Sequence, residues 1–328
     1  MSCYHPMHLY KVGIDIDGKQ RVKVISGDYL GLDEFGYPTK LEEFVADEGI
    51  TIPCGHCIGC RQDQSKEWAS RLMMEMIYHD SSYFVTLTYN EDNVPIAYDE
   101  NTGCVSGLFT LDKRDPQLFM KRLRKACPND KIRFYLAGEY GENTGRPHYH
   151  AILFGLHLND LKPFGRSETG NQYFISGFLD RVWNKGFVSV EPANYATCKY
   201  VASYVTKKIG IHPNKVYEDQ FMVPPFSLSS RKPGIGYQYY DEHPEILDTG
   251  KIILGTANGS YEFMLPRYFK KKFSEQDPDR YDEMVLRHQR AAADRKEMIL
   301  DNTSVSYKDY LSMLEKRHED RVKRRDKI

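Results

Sequence analysis

Residues 132–154, IRFYLAGEYGENTGRPHYHAILF, decide the fold. Ile132 to Tyr140 alternates and reads as a strand, Gly141 to Gly145 as a turn, and Pro147 to Phe154 as a second strand. So short a link makes the pair antiparallel. Residues i and i+2 of a strand share a face, so His148 and His150 present both imidazoles to one side and Tyr149 to the other. Glu139 lies on the paired strand, where its carboxylate can supply a third ligand. Two His and one carboxylate leave coordination positions open, as catalysis at a metal requires. Taken alone, His-x-His is common by chance, and two half-exposed histidines on a sheet are the bland alternative.

Working outward, Tyr83 to Tyr89 is β-branched and aromatic and reads as a strand. Asn90 to Gly107 has no pattern. Pro116 opens a helix that Pro128 ends. Phe178 to Lys185 reads as a helix, Phe187 to Val190 as a short strand, and Asn194 to Lys208 as a helix led by Pro192. The order from 83 to 208 is β-α-β-β-α-β-α. This predicts an α+β, ferredoxin-like or RRM-like antiparallel sheet backed by helices. A helix over Glu67 to His79 precedes it. Three regions are expected: 1–65 with a cysteine cluster, 66–210 with the sheet, and 211–328. The last is rich in Pro, Gly and Tyr to Pro266, with long charged helices over Asp279 to Leu300 and Tyr307 to Arg325.

Cys54-Gly-His-Cys57-Ile-Gly-Cys60 places three of seven cysteines at metal-clamp spacing. Tetrahedral zinc takes four ligands, and Cys3 is the first choice for the fourth, with His5, His8 and His56 open. A ferredoxin run would continue to a further Cys, and Arg61 to Ser65 has none. The odd count, and an N-terminus without a basic flank and apolar run, predict a reducing compartment and no secretory signal. Cys104, Cys127 and Cys198 read as packing residues.

Tyr200 and Tyr204 are four apart, so they share a helical face, with Lys208 four further on and Lys207 beside it. An amphipathic helix with two packing aromatics would look the same. Within one domain, however, the two segments complement each other. A metal can polarise a phosphodiester oxygen, and a tyrosine can attack phosphorus and expel a 3′-hydroxyl. Free tyrosine has a pKa near ~10, so the metal and Lys207 or Lys208 would have to favour the phenolate.

The set Thr86-Leu87-Thr88, Arg146-Pro147-His148-Tyr149-His150 and Tyr200-x3-Tyr204-x2-Lys207-Lys208 resembles the three motifs of rolling-circle replication initiators of the HUH endonuclease superfamily. Two tyrosines point to its two-tyrosine branch, and the set is most similar to the initiators of the Microviridae. The cluster Cys54/Cys57/Cys60 resembles the gokushovirus subgroup. The resemblance covers about residues 54–210. It implies nicking of the viral strand at the origin of a circular duplex through a 5′-phosphotyrosine, extension of the 3′ end by host polymerase, and rejoining of the displaced strand. It also implies Mg²⁺ or Mn²⁺ held by His148, His150 and Glu139 (preferred to Glu142), Tyr200 and Tyr204 as nucleophiles, a host helicase, and the cytoplasm of the bacterial host. A P-loop is not expected, because Gly165 to Gly170 is followed by Asn171 and Gln172. The alternatives are a non-catalytic zinc-containing single-stranded nucleic-acid-binding protein and a relaxase or transposase of the same superfamily.

The chain has 328 residues, 45 Lys+Arg against 46 Asp+Glu, and 41% hydrophobic residues. No stretch is apolar enough for a membrane span. A net charge of −1 argues against a nucleic-acid partner only if the charges are mixed, and they are not. The segment before the cysteines is acidic. Lys121, Arg122, Arg124 and Lys125 lie in a basic run from Lys113 to Arg133, and Arg146 sits beside the histidines. Further basic clusters occupy 267–272 and 316–327. Such runs can follow single-stranded and duplex DNA, and each alone also suits a solvated helix face.

Overall fold

The computed structural model describes residues 3–15, 17–18, 20–26, 29–32, 38–40, 50–99, 101–166, 172–206, 213–256 and 259–325. The chain divides into two compact units, Met1–Asp63 with Gln289–Ile328, and Gln64–His288. This differs from a three-part division at 65 and 210. Residues 211–288 complete the second unit, by adding a strand to its sheet and a core of their own, while the last helix belongs to the first.

In the first unit, β1 (Met7–Ile14), β2 (Gln20–Ser26), β3 (Tyr29–Leu32), β4 (Pro38–Lys40) and β5 (Ile50–Ile52) form a three-stranded sheet, β2-β1-β5, and a β3-β4 hairpin. α1 (Ile58–Met76) starts among the cysteines and continues into the second unit. It begins nine residues before the expected Glu67. Glycine at 55 and 59 suggested a loop, but only Gly55 has a left-handed φ, of 86°, and Gly59 is already helical.

The second unit continues with β6 (Ser82–Thr88), β7 (Ile96–Tyr98), β8 (Val105–Phe109), α2 (Arg114–Ala126), β9 (Arg133–Tyr140), β10 (Pro147–Phe154), β11 (Lys162–Arg166), β12 (Gln172–Ile175), α3 (Gly177–Trp183), β13 (Val188–Pro192) and α4 (Tyr195–Thr206). Then come α5 (Pro213–Glu218), β14 (Phe226–Ser229), α6 (Tyr237–Glu242), α7 (Ile246–Thr249), β15 (Lys251–Thr256), β16 (Gly259–Met264) and α8 (Arg267–Gln276). α9 (Pro278–Asp301) leads out of this unit, and α10 (Tyr307–Arg325) lies in the first.

The class is α+β. Seven strands form an antiparallel sheet in the order β11-β12-β13-β6-β10-β9-β14. Its centre is the predicted hairpin: β10 pairs β9 with His148 opposite Glu139, and pairs β6 with His148 opposite Thr88 and His150 opposite Thr86. Strand alternation sorts the side chains into two apolar layers. Val85, Leu87, Leu136, Tyr149, Ala151 and Leu153 pack with Phe119 and Leu123 of α2 and Leu179 and Trp183 of α3. Phe84, Tyr135, Ala137, Ile152 and Phe154 pack on the opposite face with Leu72 of α1 and Cys198 and Val201 of α4. Tyr149 could have left a buried hydroxyl stranded. Instead it accepts from the Asp112 N–H (3.1 Å), donates to the Asp112 carbonyl (2.7 Å) and lies 2.8 Å from the Tyr89 hydroxyl, which donates to Asp115 (2.6 Å).

α4 starts where it does because Asn194 and Thr197 cap each other. The Asn194 side chain accepts from the Thr197 N–H (3.0 Å), and the Thr197 hydroxyl accepts from the Asn194 N–H (2.8 Å). This reciprocal cap satisfies two backbone donors that the first turn leaves open. The helix is thereby fixed over the histidine-bearing face.

Candidate active site

Glu139 and His148 are cross-strand partners, and His150 lies two residues along on the same face. The register therefore delivers three donors to one point. Glu139 Oε1 lies 2.9 Å from His148 Nε2 and 3.0 Å from His150 Nε2, and one ligand atom from each residue lies within 4.8 Å of the others. Octahedral ligands about 2.1 Å from a Mg²⁺-sized ion sit about 3.0 Å apart along each edge. The two carboxylate–imidazole distances match that edge, so the donor set fits a divalent cation.

The surroundings tune each donor. Burial alone would raise the Glu139 carboxyl, but the hydrogen bonds to His148 and His150 outweigh it and hold the pKa at about 2. Burial pushes His150 down, against the pull of Glu139, so its imidazole stays neutral, the form that binds metals. His148 Nδ1 lies 3.2 Å from the Arg146 carbonyl. A carbonyl only accepts, so Nδ1 carries the proton and Nε2 is left as the inward-facing donor. His150 Nδ1 is 3.0 Å from Thr86 Oγ1, a hydroxyl that can donate or accept.

α4 brings both tyrosines onto this set. The Tyr204 ring stacks on His150 at 5.1 Å and 11°, and the Tyr200 ring meets His150 edge-on at 5.3 Å. The two are not equivalent: Tyr204 is 6% exposed and Tyr200 is 47% exposed. The Tyr204 phenol is pushed far up, first by burial, then by Tyr200 and Glu139. Phe84 lines the same pocket, stacked 5.4 Å from His150. Sequence reasoning missed it, although Phe84, Thr86 and Thr88 share one face by alternation. Lys207 and Lys208 lie outside the described residues. Glu142 is exposed in the turn, apart from this cluster.

The basic candidates divide. Arg122 donates to the carbonyls of Val182 (2.8 Å) and Trp183 (3.0 Å), and Arg124 to the Ile132 carbonyl (3.1 Å) while lying over Phe134. Both hold structure. Lys121 and Lys125 are exposed on α2. Arg146 reaches the Tyr89 carbonyl (3.1 Å) and Glu91 (2.7 Å).

The second donor set lies in the first unit. Cys3, Cys54, Cys57 and Cys60 are buried, with all four sulfurs within 4.8 Å of one another. Cys54 Sγ and Cys60 Sγ are 3.9 Å apart, close to the ~3.8 Å edge of a tetrahedron with 2.3 Å zinc–sulfur bonds. Backbone N–H groups of Tyr4, Cys54, Cys57 and Cys60 point at sulfurs over 3.3–3.5 Å. Burial acts to raise the Cys57 thiol, yet the N–H groups of Tyr4 and Cys60 bring it down to about 7. The group fits zinc. His5 instead meets Glu315 of α10 at 2.6 Å, His56 is exposed, and the His8 side chain lies outside the described residues.

These features define a class: an α+β protein whose antiparallel sheet carries a His-Glu-His donor set under a helix with two tyrosines. Residues 82–209 match the family model of replication-associated protein ORF2. The chain is 30% identical to replication-associated protein ORF2 of Spiroplasma virus 4 over 99% of its length and 97% of that protein. It is 28% identical to replication-associated protein VP4 of Bdellovibrio phage phiMH2K, over 71% of each chain. It is 29% identical to replication-associated protein ORF4 of Chlamydia phage 1, over 80% of this chain and 57% of that one. No solved structure matches. The chain belongs to the replication-associated protein family of the Microviridae.

Proposed function

We propose that this replication protein is a metal-dependent nicking and joining enzyme of the HUH type, with the ferredoxin-like strands β13-β6-β10-β9 as its core. The observation that carries the reading is the meeting of Glu139, His148 and His150 with the rings of Tyr200 and Tyr204. Sheet and helix come from distant parts of the chain, and core packing alone does not require acid, imidazoles and phenols at one point.

A Mg²⁺ or Mn²⁺ ion held by His148, His150 and Glu139 would supply a Lewis acid for the scissile phosphate. A tyrosine Oη attacks phosphorus, the bond to the 3′-oxygen breaks, and that oxygen leaves as a 3′-hydroxyl. The 5′ end stays on the tyrosine as a phosphodiester, so rejoining needs no nucleotide. The second tyrosine gives the regenerated origin its own nucleophile. Lys207 and Lys208, which follow Tyr204 in the chain, favour the phenolate and the charge that develops on phosphorus. Zinc on the four cysteines is structural. The site of action is the host cytoplasm, with single-stranded and duplex origin DNA as substrate and host helicase and polymerase as partners. Among the described residues no helix is long and apolar enough to cross a membrane.

The test uses single strands tiled across the genome that encodes the chain, incubated with protein and Mn²⁺. A covalent protein–DNA adduct is expected on one tile. It should vanish when Tyr200→Phe is combined with Tyr204→Phe, and when His148→Ala is combined with His150→Ala. Absence of an adduct on every tile, or its survival in either double variant, refutes the reading.

A further inference from the structure

The row of residues that holds the metal donors continues across the sheet to an exposed aromatic pair. Glu139 is opposite His148, and His148 is opposite Thr88. Thr88 N–H in turn donates to the Phe187 carbonyl at 3.0 Å, and the Thr88 hydroxyl donates to the same oxygen at 3.0 Å. The next pair along is Leu87 opposite Val188, and both are buried in the core on the other face. Alternation therefore puts Phe187 on the face of Thr88 and His148. Two strand spacings separate the backbones of Phe187 and His148, about 10 Å.

Phe187 is not a mobile surface residue. The segment before it is strapped to the end of β6: Asn90 N–H donates to the Lys185 carbonyl at 2.9 Å, and Trp183 Nε1 donates to the Thr88 carbonyl at 2.8 Å. A Cβ on Gly186 would meet Thr88 O at 2.1 Å, so only glycine allows this approach. The ring held by this rigid backbone is nonetheless 40% exposed. Beside it, at 5.5 Å and 50°, lies the ring of Phe164, 62% exposed. Phe164 sits on the edge strand β11, whose charged residues are Lys162 and Arg166, both exposed, with no acid between them. The α4 helix that closes the face over His150 leaves this end of it open.

We propose that Phe164 and Phe187 form a stacking platform for an unpaired base of the DNA strand that enters the Glu139/His148/His150 site, with Lys162 and Arg166 holding its phosphates. The occupant follows from the chemistry. Two aromatic faces flanked by cations suit a π-face linked to phosphate, and the platform is continuous with a site read as acting on a phosphodiester. This inference rests on the proposed function for the identity of the strand. Its own readout is binding, not cutting.

The experiment uses the full chain in a Tyr200→Phe/Tyr204→Phe background, so that no chemistry intervenes. The probe is a single-stranded oligonucleotide spanning the cut site, with 2-aminopurine placed at each position in turn. Quenching at one or two positions beside the cut is expected. It should be lost in Phe164→Leu/Phe187→Leu, with affinity falling about 5- to 100-fold per ring removed. Leucine keeps apolar bulk, and thermal unfolding confirms the fold. Lys162→Ala/Arg166→Ala should lower the slope of log affinity against log salt by about 1.4, whereas the Leu pair leaves that slope unchanged. On duplex DNA the Leu pair should bind like its parent. Equal single-strand binding by the Leu pair, or an equal loss on duplex, overturns the platform. If the tile assay yields no adduct while quenching persists, the enzymatic reading fails and the platform stands.

Discussion

Replacing Glu139 by Gln keeps the shape of the side chain and removes the charge that two imidazoles share. The wild-type carboxyl is 6% exposed and held at about 2 against an ordinary 4.5. At 1.36 kcal/mol per unit, that depression sets a ceiling of about 3 kcal/mol on what its neighbours contribute to the metal-free fold. The folded pKa is lowered, so this stabilisation is complete above about 4.5 and is lost as the pH falls through about 2. Urea unfolding without added divalent ions should therefore place Glu139→Gln up to about 3 kcal/mol below wild type at pH 7. The gap should hold to pH 5 and shrink below 4.5. Adding Mn²⁺ should then stabilise wild type by about 2.7 kcal/mol at a hundred times its dissociation constant, and the variant by far less. Equal stability at pH 7, a gap that widens in acid, or equal Mn²⁺ stabilisation would refute the donor-set argument.

Other outcomes follow from the same geometry. Tyr200 is the exposed phenol, so the first adduct should map by peptide mass spectrometry to Tyr200; Tyr204→Phe should keep that first cleavage and lose the second, and the reverse pattern refutes the order. Thr86→Val removes the partner of His150 Nδ1 and should weaken Mn²⁺ binding, followed by electron paramagnetic resonance, about 10- to 100-fold. Purified protein should carry about one zinc per chain, and Cys54→Ser less than about a quarter as much by elemental analysis; a full equivalent in the variant rules out the four-sulfur site. Phe119→Ala, which empties a fully buried place between α2 and the sheet, should cost about 3–5 kcal/mol in urea unfolding.

The elements that carry the chemistry were readable because their patterns are local. The hairpin from Ile132 to Phe154, the helix after Pro192 and the two long charged helices near the C-terminus all lie within a few residues of where periodicity puts them. What escaped depends on distant partners. The β7-β8 hairpin lies in the stretch 90–107, where few residues are buried, and β11 is exposed throughout, so neither shows alternation. β14 is four residues long and exists as a strand because it pairs with β9. At the site, spacing alone puts Glu139, His148 and His150 on one face. The unequal burial of Tyr200 and Tyr204 could not be read that way, since residues four apart look alike until a helix is docked. Arg122 and Arg124 illustrate the converse. A basic run suggested a surface for phosphate, but carbonyls at Val182, Trp183 and Ile132 occupy these two guanidinium groups.

β10 alternates imidazoles for one face with a hydroxyl-bonded tyrosine for the other, and this limits how the hairpin can vary among related phages. An insertion in the turn over residues 141–146 lengthens a loop and leaves both faces in register. A single insertion between Pro147 and Phe154 exchanges the two faces. Tyr149 would then point toward Glu139, and an imidazole would enter the layer against Trp183. Length variation in this family should therefore gather in the turn, with the eight-residue strand inherited as an indivisible block.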